Sequence, residues 1–259
     1  MLSGVRSIVY NICLAGFKLN FIEFGGLRQG HGWIDSMPTV LDGTGFVEVL
    51  DTFGDDLTVV NAARVSFAKE SVTMSPGDSK LISYLADHNH ITPFFHPQVR
   101  LRLKMPIYVS REWFRHTVGF ARNEVSRRYV DTVPECYVPT AGWVRERDTN
   151  KKQGSKAVAV SGEELWIAAI QAHCDQSLKL YGDLLEARVA PEVARGVLPQ
   201  CMYTEFIETG SLYAYARLCR LRLDPQAQRE IQVYAEALSE ELGKRFPVSW
   251  AALKKEWSS

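Results

Sequence analysis

Residues 115–129 carry many side chains that can bind an anion and few that could build a hydrophobic core. This stretch contains four arginines, Arg115, Arg122, Arg127 and Arg128. An arginine side chain offers a planar fork of N–H donors that matches a phosphate group bidentately. The stretch therefore predicts a binding site for a nucleotide.

A charged segment of this kind can also be a solvated strand edge. Two features favour a binding site instead. A helix and a strand are expected to meet at Gly119, so that arginines from both elements can converge. Glu124 lies among the arginines, where a carboxylate suits an orienting acceptor better than a surface charge.

Three histidines, His88, His90 and His96, lie close together upstream of this stretch. Imidazole nitrogens can ligate a metal ion. They can also satisfy buried backbone groups at a helix-to-strand junction. A third alternative is that they line a cofactor pocket, where a ring can stack on a flat cofactor. The sequence leaves these alternatives open.

Two further arginines, Arg195 and Arg222, are candidates for anion binding. Arg222 lies at the end of a predicted helix, where the helix macrodipole also favours a cation. Taken singly, either residue is explained by a structural role. Ser126, which lies among the arginines, has no general base nearby and is interpreted as a hydrogen-bond donor.

The cysteine pattern indicates neither a zinc site nor a disulfide framework, and no bound metal is included in the prediction. The five cysteines, at positions 13, 136, 174, 201 and 219, are widely spaced and form no C-x-x-C pair. Free thiols predict a cytoplasmic location. No Gly-x-Ser-x-Gly elbow, dinucleotide-binding glycine motif or Walker loop is present.

Composition limits the classes of partner. The 259 residues include 30 basic and 30 acidic side chains, so the net charge is zero, which argues against wholesale nucleic-acid binding. No apolar run reaches the ~18 residues that a membrane span requires. Residues 1–44 are predicted to be a peripheral extension, and residues 45–259 one domain.

Hydrophobic periodicity predicts the elements that position these residues. Alternation predicts strands at residues 45–50 and 99–105, and Arg100, Arg102 and Lys104 give the second strand a basic outer face. Helical spacing predicts helices at residues 55–65, 80–86, 108–116, 162–189, 191–197 and 211–222. A last helix is predicted to open at Asp224-Pro225 and end at Pro247. Strands early and helices late predict a single α+β domain.

Together these segments resemble the flavin-dependent thymidylate synthase family over about residues 45–250. The family signature is Arg-His-Arg, seven residues and then Ser, within a pattern that ends Asn-Glu-x-Ser-x-Arg-Tyr. Residues 123–129 (NEVSRRY) match the end of the pattern fully. Further blocks resemble the family at residues 63–67, 88–96, 111–116, 195–199, 221–224 and 228–234.

The resemblance implies an α+β fold, with an antiparallel sheet flanked by helices, assembled as a homotetramer with active sites between subunits. It implies reductive methylation of dUMP to dTMP. Methylenetetrahydrofolate would supply the carbon, and NADPH would reduce bound FAD, which supplies the hydride. No cysteine nucleophile, nucleic acid or membrane partner is implied.

The resemblance also carries over site residues. The expected dUMP contacts are Glu112, Arg115, Glu124, Ser126, Arg128, Arg195 and Arg222. The expected FAD contacts are Ser66, His90, Thr92, Arg115, His116, Glu124, Ser211, Tyr213 and Arg217. Arg222 is the expected catalytic residue, because a cation beside the uracil ring favours the N3-deprotonated form and enriches electron density at C5.

The chain departs from the family pattern in four places. Thr117 stands where the second arginine of the signature belongs. Eight residues, not seven, separate Thr117 from Ser126, which implies a one-residue bulge near Gly119. Glu112 replaces the usual Gln, and Phe95 replaces the Glu common before the last histidine.

Three alternatives to a thymidylate synthase follow from these observations. One is a family member that binds FAD and dUMP but has lost turnover through Thr117 and Glu112. Another is a single-stranded nucleic-acid-binding module in which Phe114, Phe120 and Tyr129 stack on bases. The last is a hydrolase with a histidine metal site.

Overall fold

The computed structural model describes residues 38–130, 132–149, 154–255 and 257. Their main sheet has five strands in the order β1-β2-β3-β7-β4, and every neighbouring pair is antiparallel. The strands of this sheet are β1 (Thr39–Val40), β2 (Gly45–Phe53), β3 (Gln98–Pro106), β4 (Phe120–Glu124) and β7 (Tyr203–Ser211). A separate ribbon pairs β5 (Arg145–Arg147) with β6 (Ser155–Ala159).

Helices flank the sheet and complete the predicted α+β architecture. They are α1 (Asp56–Arg64), α2 (Pro76–Asp87), α3 (Ile107–Trp113), α4 (Glu163–Glu186), α5 (Pro191–Ala194), α6 (Leu212–Arg222), α7 (Arg229–Arg245) and α8 (Pro247–Lys255). Short 3₁₀ turns lie at Val65–Phe67, Thr92–Phe95 and Arg195–Val197. The prediction of an antiparallel sheet flanked by helices is confirmed.

Apolar and polar residues alternate along β3, so that one face of the strand lies in the core and the other on a polar face of the sheet, as predicted. Val99, Leu101, Leu103 and Met105 are fully buried against the helices. The outer face is less basic than predicted, because acidic side chains of the neighbouring strands pair with its cations. Arg102 Nε, for example, donates to Glu205 Oε1 at 2.5 Å. The face that borders the candidate site therefore carries both signs of charge.

Two predictions about the second half of the chain were wrong. Strand β7 was missed, because its burial alternation includes a charged residue, the fully buried Glu208. The last long helix begins at Arg229 and not at Asp224-Pro225. The Asp224 carboxylate instead accepts from the Gln226 backbone N–H at 2.7 Å, within a turn.

The last long helix buries one stripe of residues against the core. Its members are Ile231, Tyr234, Ala235, Leu238 and Leu242, all fully buried. Pro247 does stop the helix, as predicted, but it also opens α8, which the sequence did not indicate.

Most of the predicted N-terminal extension, residues 1–37, lies outside the described residues. Its last part joins the sheet, since Thr39 pairs with Phe46 and Val40 with Gly45. Tyr203 Oη also donates to Asp42 Oδ1 at 2.7 Å. The division of the chain at residue 44 stays a prediction.

Helix α4 is long and mostly uncovered. It buries only Cys174, Ser177 and Tyr181, whereas Leu165 is 73% exposed and Trp166 is 59% exposed. Among the described helices, none combines the length and hydropathy that a bilayer-spanning segment requires.

Candidate functional site

Three groups from two residues that are distant from it in sequence, Glu112 and His116, fix the guanidinium of Arg222. Its Nε donates to His116 Nε2 at 3.0 Å, and one terminal nitrogen donates to the Glu112 carbonyl at 3.0 Å. The other terminal nitrogen lies 3.3 Å from Glu112 Oε2. The side chain of Arg222 is 20% exposed and that of Glu112 is 34% exposed. The guanidinium is thus oriented and remains accessible.

Helix α3 and the turn after it place His116 and Glu112. Trp113 anchors the helix in the core, which turns Arg111 and Glu112 toward a cleft. Gly119 in the turn has φ +86°, and an added Cβ would lie 3.1 Å from Ala214 Cβ, so glycine is needed on both counts.

The one-residue bulge implied near Gly119 is not present in the strand. β4 pairs with β7 in continuous register from Phe120 to Glu124. Gly119 itself lies in the turn before the strand, where the Phe120 N–H donates to the Thr117 carbonyl at 3.4 Å, and the position of the extra residue stays a prediction. A turn absorbs an insertion without disturbing the ladder of hydrogen bonds.

His116 is neutral at physiological pH. Burial lowers the pKa of its imidazole to about 4, and the nearby guanidinium groups of Arg222, Arg122 and Arg217 add to the effect. A neutral ring keeps a lone pair on Nε2, which is what allows it to accept from Arg222. The histidine therefore holds the arginine as a hydrogen-bond acceptor.

A cleft of about 750 Å³ opens beside this cluster. Its lining contains five arginines and two glutamates, namely Arg111, Arg115, Arg145, Arg222, Arg229, Glu112 and Glu230. The excess of cations suits an anionic ligand. Nε of Arg145 is buried and has no hydrogen-bond partner among the described residues.

A second cleft, of about 480 Å³, lies on the polar face of the sheet between β4 and β7. Glu124 lines it, and one of its carboxylate oxygens accepts from Thr204 Oγ1 at 2.6 Å. Arg127 and Lys104 contribute positive charge to the same lining. Within one chain, Glu124 thus lies in a different cleft from Arg222.

Ser126, Arg128 and Arg195 are not among the residues that line the first cleft. Ser126 Oγ accepts from the Arg128 backbone N–H at 3.3 Å, and the Arg128 side chain lies 3.5 Å from Glu192 Oε2. Arg195 is exposed in the 3₁₀ turn that follows α5. One chain therefore brings together only part of the predicted dUMP set.

The residues predicted to contact FAD occupy neighbouring elements. Ser66, His90 and Thr92 are exposed at or beside the first two 3₁₀ turns. The second of these turns packs against α1 and α6, and the Tyr213 ring lies 5.2 Å from that of Phe95. Arg217 is exposed on α6.

Ser211 differs from the rest of this group. Its hydroxyl is buried and accepts from the Ala214 backbone N–H at 3.2 Å, so it caps the N-terminus of α6.

The structure weakens two of the rival interpretations. Phe114 packs edge-on against Phe206 and Phe120 against Tyr215, which leaves Tyr129 as the exposed ring of the three proposed stacking platforms. The three histidines do not converge on a shared metal position within the described residues. His88 Nδ1 instead lies 2.9 Å from the Tyr84 carbonyl.

Sequence reasoning missed the far wall of the first cleft. Trp143 and Arg145 come from a segment to which no role was assigned, and Arg229 lies in the family block 228–234 but was not itself predicted to be a site residue. Their only signal was residue type, since an arginine beside a tryptophan or at a helix start is common on ordinary surfaces.

An antiparallel α+β sheet with an arginine-lined cleft is the architecture of a protein suited to a small anionic ligand. Comparison with known proteins identifies the family. The sequence profile described as "Thymidylate synthase complementing protein" matches residues 48–248.

A flavin-dependent thymidylate synthase of Thermus thermophilus is 39% identical over 216 residues, which cover 83% of this chain and 77% of the relative. The enzyme of the same name from Thermosipho africanus is 39% identical over 214 residues, 82% of this chain and 91% of the relative. The crystal structure of the UMP/dUMP methylase PolB from Streptomyces cacaoi, bound with 5-Br dUMP, aligns with a TM-score of 0.74 at 29% identity. That alignment covers 82% of this chain and 95% of PolB.

The chain belongs to the flavin-dependent thymidylate synthase family, a family of methyltransferases in dTMP biosynthesis. The family prediction is confirmed.

Proposed function

We propose that this chain catalyses the reductive methylation of dUMP to dTMP, with methylenetetrahydrofolate as carbon donor and NADPH as reductant of bound FAD. One observation carries the proposal beyond family membership. Glu112, Arg115 and Arg222, three of the residues matched to the dUMP site, line one cleft, and Arg222 is already oriented there.

Arg222 is the residue proposed to act on the uracil ring. Its guanidinium is held by neutral His116 and by the backbone of Glu112, so little reorganisation is needed when substrate binds. A fixed cation beside the ring lowers the pKa of uracil N3 and favours the deprotonated form. The added electron density at C5 makes that carbon a better nucleophile.

Arg115, Arg128 and Arg195 are proposed to bind the phosphate, with Ser126 as a further donor. Each arginine is exposed and so can present its fork to an incoming anion. Glu192 pairs with Arg128 at 3.5 Å, through a contact weak enough to be exchanged for a phosphate.

The proposed FAD residues fit a large, flat and polar cofactor. Ser66, His90, Thr92 and Arg217 supply exposed hydrogen-bonding groups. Val65 and Phe67, which flank Ser66, are more than 70% exposed and offer apolar surface for a ring system. When bound, the flavin supplies the hydride; the protein supplies position and electrostatic field. Ser211 contributes by capping α6, the helix that carries Arg217 and Arg222.

A homotetramer with active sites between subunits is part of the proposal. Arg128 and Arg195 lie outside the cleft of Arg222, and α4 leaves Leu165 and Trp166 uncovered. Both facts are expected if neighbouring chains complete the site and cover the helix. Light scattering on the purified full chain measures the assembly; a monomer at assay concentration that still turns over would contradict this part.

No cysteine nucleophile is proposed. None of the four described free cysteines lines the cleft of Arg222. A variant in which any single cysteine is replaced by serine is therefore expected to retain dTMP formation. If one such replacement abolished product formation in a folded protein, the cysteine-dependent mechanism would be favoured.

The decisive test has two measurements on the purified full chain. The visible spectrum is expected to show bound flavin. Incubation with dUMP, methylenetetrahydrofolate and NADPH is expected to yield dTMP, and parallel incubation with UMP tests discrimination at the ribose. A colourless protein that forms no dTMP would refute the proposal.

The binding-only alternative predicts a different combination of results. Flavin and dUMP would bind, but dUMP would not stimulate NADPH oxidation. The Thr117→Arg variant, which restores the second arginine of the family signature, would then be the first candidate for recovery of turnover.

A further inference from the structure

Three cysteines from separate segments meet at one place outside the proposed active site. The sulfur atoms of Cys136, Cys174 and Cys201 all lie within 4.8 Å of one another. The Cys174 and Cys201 sulfurs are 3.4 Å apart. The sequence predicted no metal site, because these residues share no short spacing.

Backbone pairing holds two of the three cysteines side by side. Cys136 forms an isolated antiparallel bridge with Met202, and the Tyr137 N–H donates to the Cys201 carbonyl at 2.9 Å. The Tyr203 N–H in turn donates to the Glu135 carbonyl at 2.8 Å. The segment around Cys136 therefore runs as a short partner of the chain that leads into β7.

The third cysteine comes from helix α4. Cys174 is fully buried and belongs to the small set of residues that this helix buries. Cys136 and Cys201 are partly exposed. The cluster is thus backed by protein on one side and reachable by solvent ions on the other.

Sulfur ligands at this separation suit a thiophilic metal ion. Thiolates are soft ligands that select zinc, copper(I) and iron–sulfur centres over hard cations. Sulfurs bound to zinc at about 2.3 Å in tetrahedral geometry are about 3.8 Å apart. The observed separations, 3.4 Å for one pair and at most 4.8 Å for all, bracket that value.

We infer that Cys136, Cys174 and Cys201 form a binding site for one Zn²⁺ ion, with three thiolate ligands and a fourth position open to water. Binding replaces the thiol protons, which pass to solvent, and no electron transfer is involved.

The site would have a structural role. It joins α4 to the two paired segments, one of which follows Arg128 and the other of which follows Arg195. Helix α4 also contacts α5 and the 3₁₀ turn of Arg195. An ion here would hold in place the part of the chain that presents the phosphate-binding arginines, without touching the reaction itself.

The test measures zinc on the full chain, purified without a polyhistidine tag and kept reduced with a phosphine. After treatment with a chelator and then with Zn²⁺ and desalting, about one zinc per chain is expected by elemental analysis. Titration with Cd²⁺ is expected to give a thiolate-to-metal absorption band that saturates at the same ratio.

Matched variants separate this cluster from the other cysteines. The double variant Cys13→Ser, Cys219→Ser keeps only the three cluster thiols and is expected to bind zinc as the original chain does. Loss of a residue that only hydrogen-bonds to a metal ligand weakens metal binding about 10–100-fold. Loss of a ligand itself, in Cys136→Ser or Cys174→Ser, is therefore expected to weaken zinc binding at least about 100-fold.

Several outcomes would overturn the inference. They are zinc retention unchanged in Cys136→Ser, no Cd²⁺ band in the original chain, or Zn²⁺ binding that needs Cys219. Failure of the phosphine-reduced original chain to take up Zn²⁺ would overturn it as well. The Cd²⁺ titration of the original chain needs no variant to fold, and none of these measurements depends on thymidylate formation.

Discussion

Two arginines near α3 each bind a glutamate, but in contrasting environments. Arg122 of β4 bonds to Glu208 of β7, whose side chain is fully buried and also accepts from Trp113 Nε1 at 3.1 Å. Arg222 pairs with Glu112, whose side chain is 34% exposed at the rim of the cleft. Both pairs join a guanidinium to a carboxylate, but the Arg122–Glu208 pair is shielded from water and the Arg222–Glu112 pair is in contact with it.

This difference separates a structural pair from the pair proposed to act on the substrate. Burial raises the pKa of Glu208, and the Arg122 guanidinium opposes that shift by stabilising the carboxylate. Neither partner of such a pair can be removed without leaving the other buried and uncompensated. The rim pair can exchange partners with a ligand at little cost, because water already screens it.

The largest expected effect is the loss of the buried carboxylate. Glu208→Ala is expected to lower the free energy of unfolding by about 3–5 kcal/mol, because Arg122 would remain buried without its counter-charge. Denaturant unfolding followed by circular dichroism measures the change.

Glu205→Ala in the same strand is the matched control, since Glu205 pairs with Arg102 on the exposed sheet face. The expected loss there is at most about 1 kcal/mol. Equal losses for Glu205 and Glu208 would remove the distinction between buried and exposed pairs. If Glu208→Ala does not fold, the double variant Arg122→Met, Glu208→Leu is expected to fold, because it removes both charges.

The second effect concerns turnover and not stability. Arg222→Ala is expected to lower kcat for dTMP formation by about 10²–10³-fold, as loss of one preorganised electrostatic group typically does. The flavin spectrum and the oligomeric state are expected to be unchanged.

Arg220→Ala removes an exposed arginine from the same turn of α6 and is expected to keep full activity. Unchanged turnover in Arg222→Ala would exclude this residue from the mechanism.

The third prediction uses pH to loosen the rim cluster formed by His116, Glu112 and Arg222. The pKa of His116 is about 4 in the folded chain against an ordinary 6.5, so the unfolded chain binds more protons between these values. The free energy of unfolding should therefore fall as pH falls from about 6.5 to about 4, since protonation also removes the acceptor for Arg222.

His116→Gln keeps an acceptor that cannot titrate in this range. Its unfolding free energy is expected to vary less between pH 6.5 and pH 4 than that of the original chain. Identical pH profiles for the two proteins would show that His116 does not titrate as inferred.

The smallest expected effect is that of replacing Glu112, whose carboxylate stands where the family usually has Gln. Glu112→Gln removes one negative charge near an anionic substrate but leaves the backbone carbonyl that binds Arg222. The KM for dUMP is expected to fall by at most about fivefold, the size of one exposed ion pair. Asp183→Asn on α4 removes the same charge outside the cleft and is expected to leave KM unchanged. A rise in KM on Glu112→Gln would mean that the carboxylate itself supports binding.

Local patterns predicted most of the elements and missed those that depend on distant partners. The strand around Leu101 and the helix around Leu238 were found because their apolar residues repeat with the period of their own element. Strand β7 was missed because Glu208 is buried only by virtue of Arg122 and Trp113. The start of the last helix was misplaced because Asp224 caps a turn as well as it would cap a helix.

The sequence by itself determined the periodic elements and the residues 123–129 that identify the family, because both are recorded in neighbouring positions of the chain. Only the tertiary structure decided that His116 and Glu112 hold Arg222 and that three cysteines share one site. Those contacts join residues far apart in sequence, and such residues meet only where packing of the core brings their segments together.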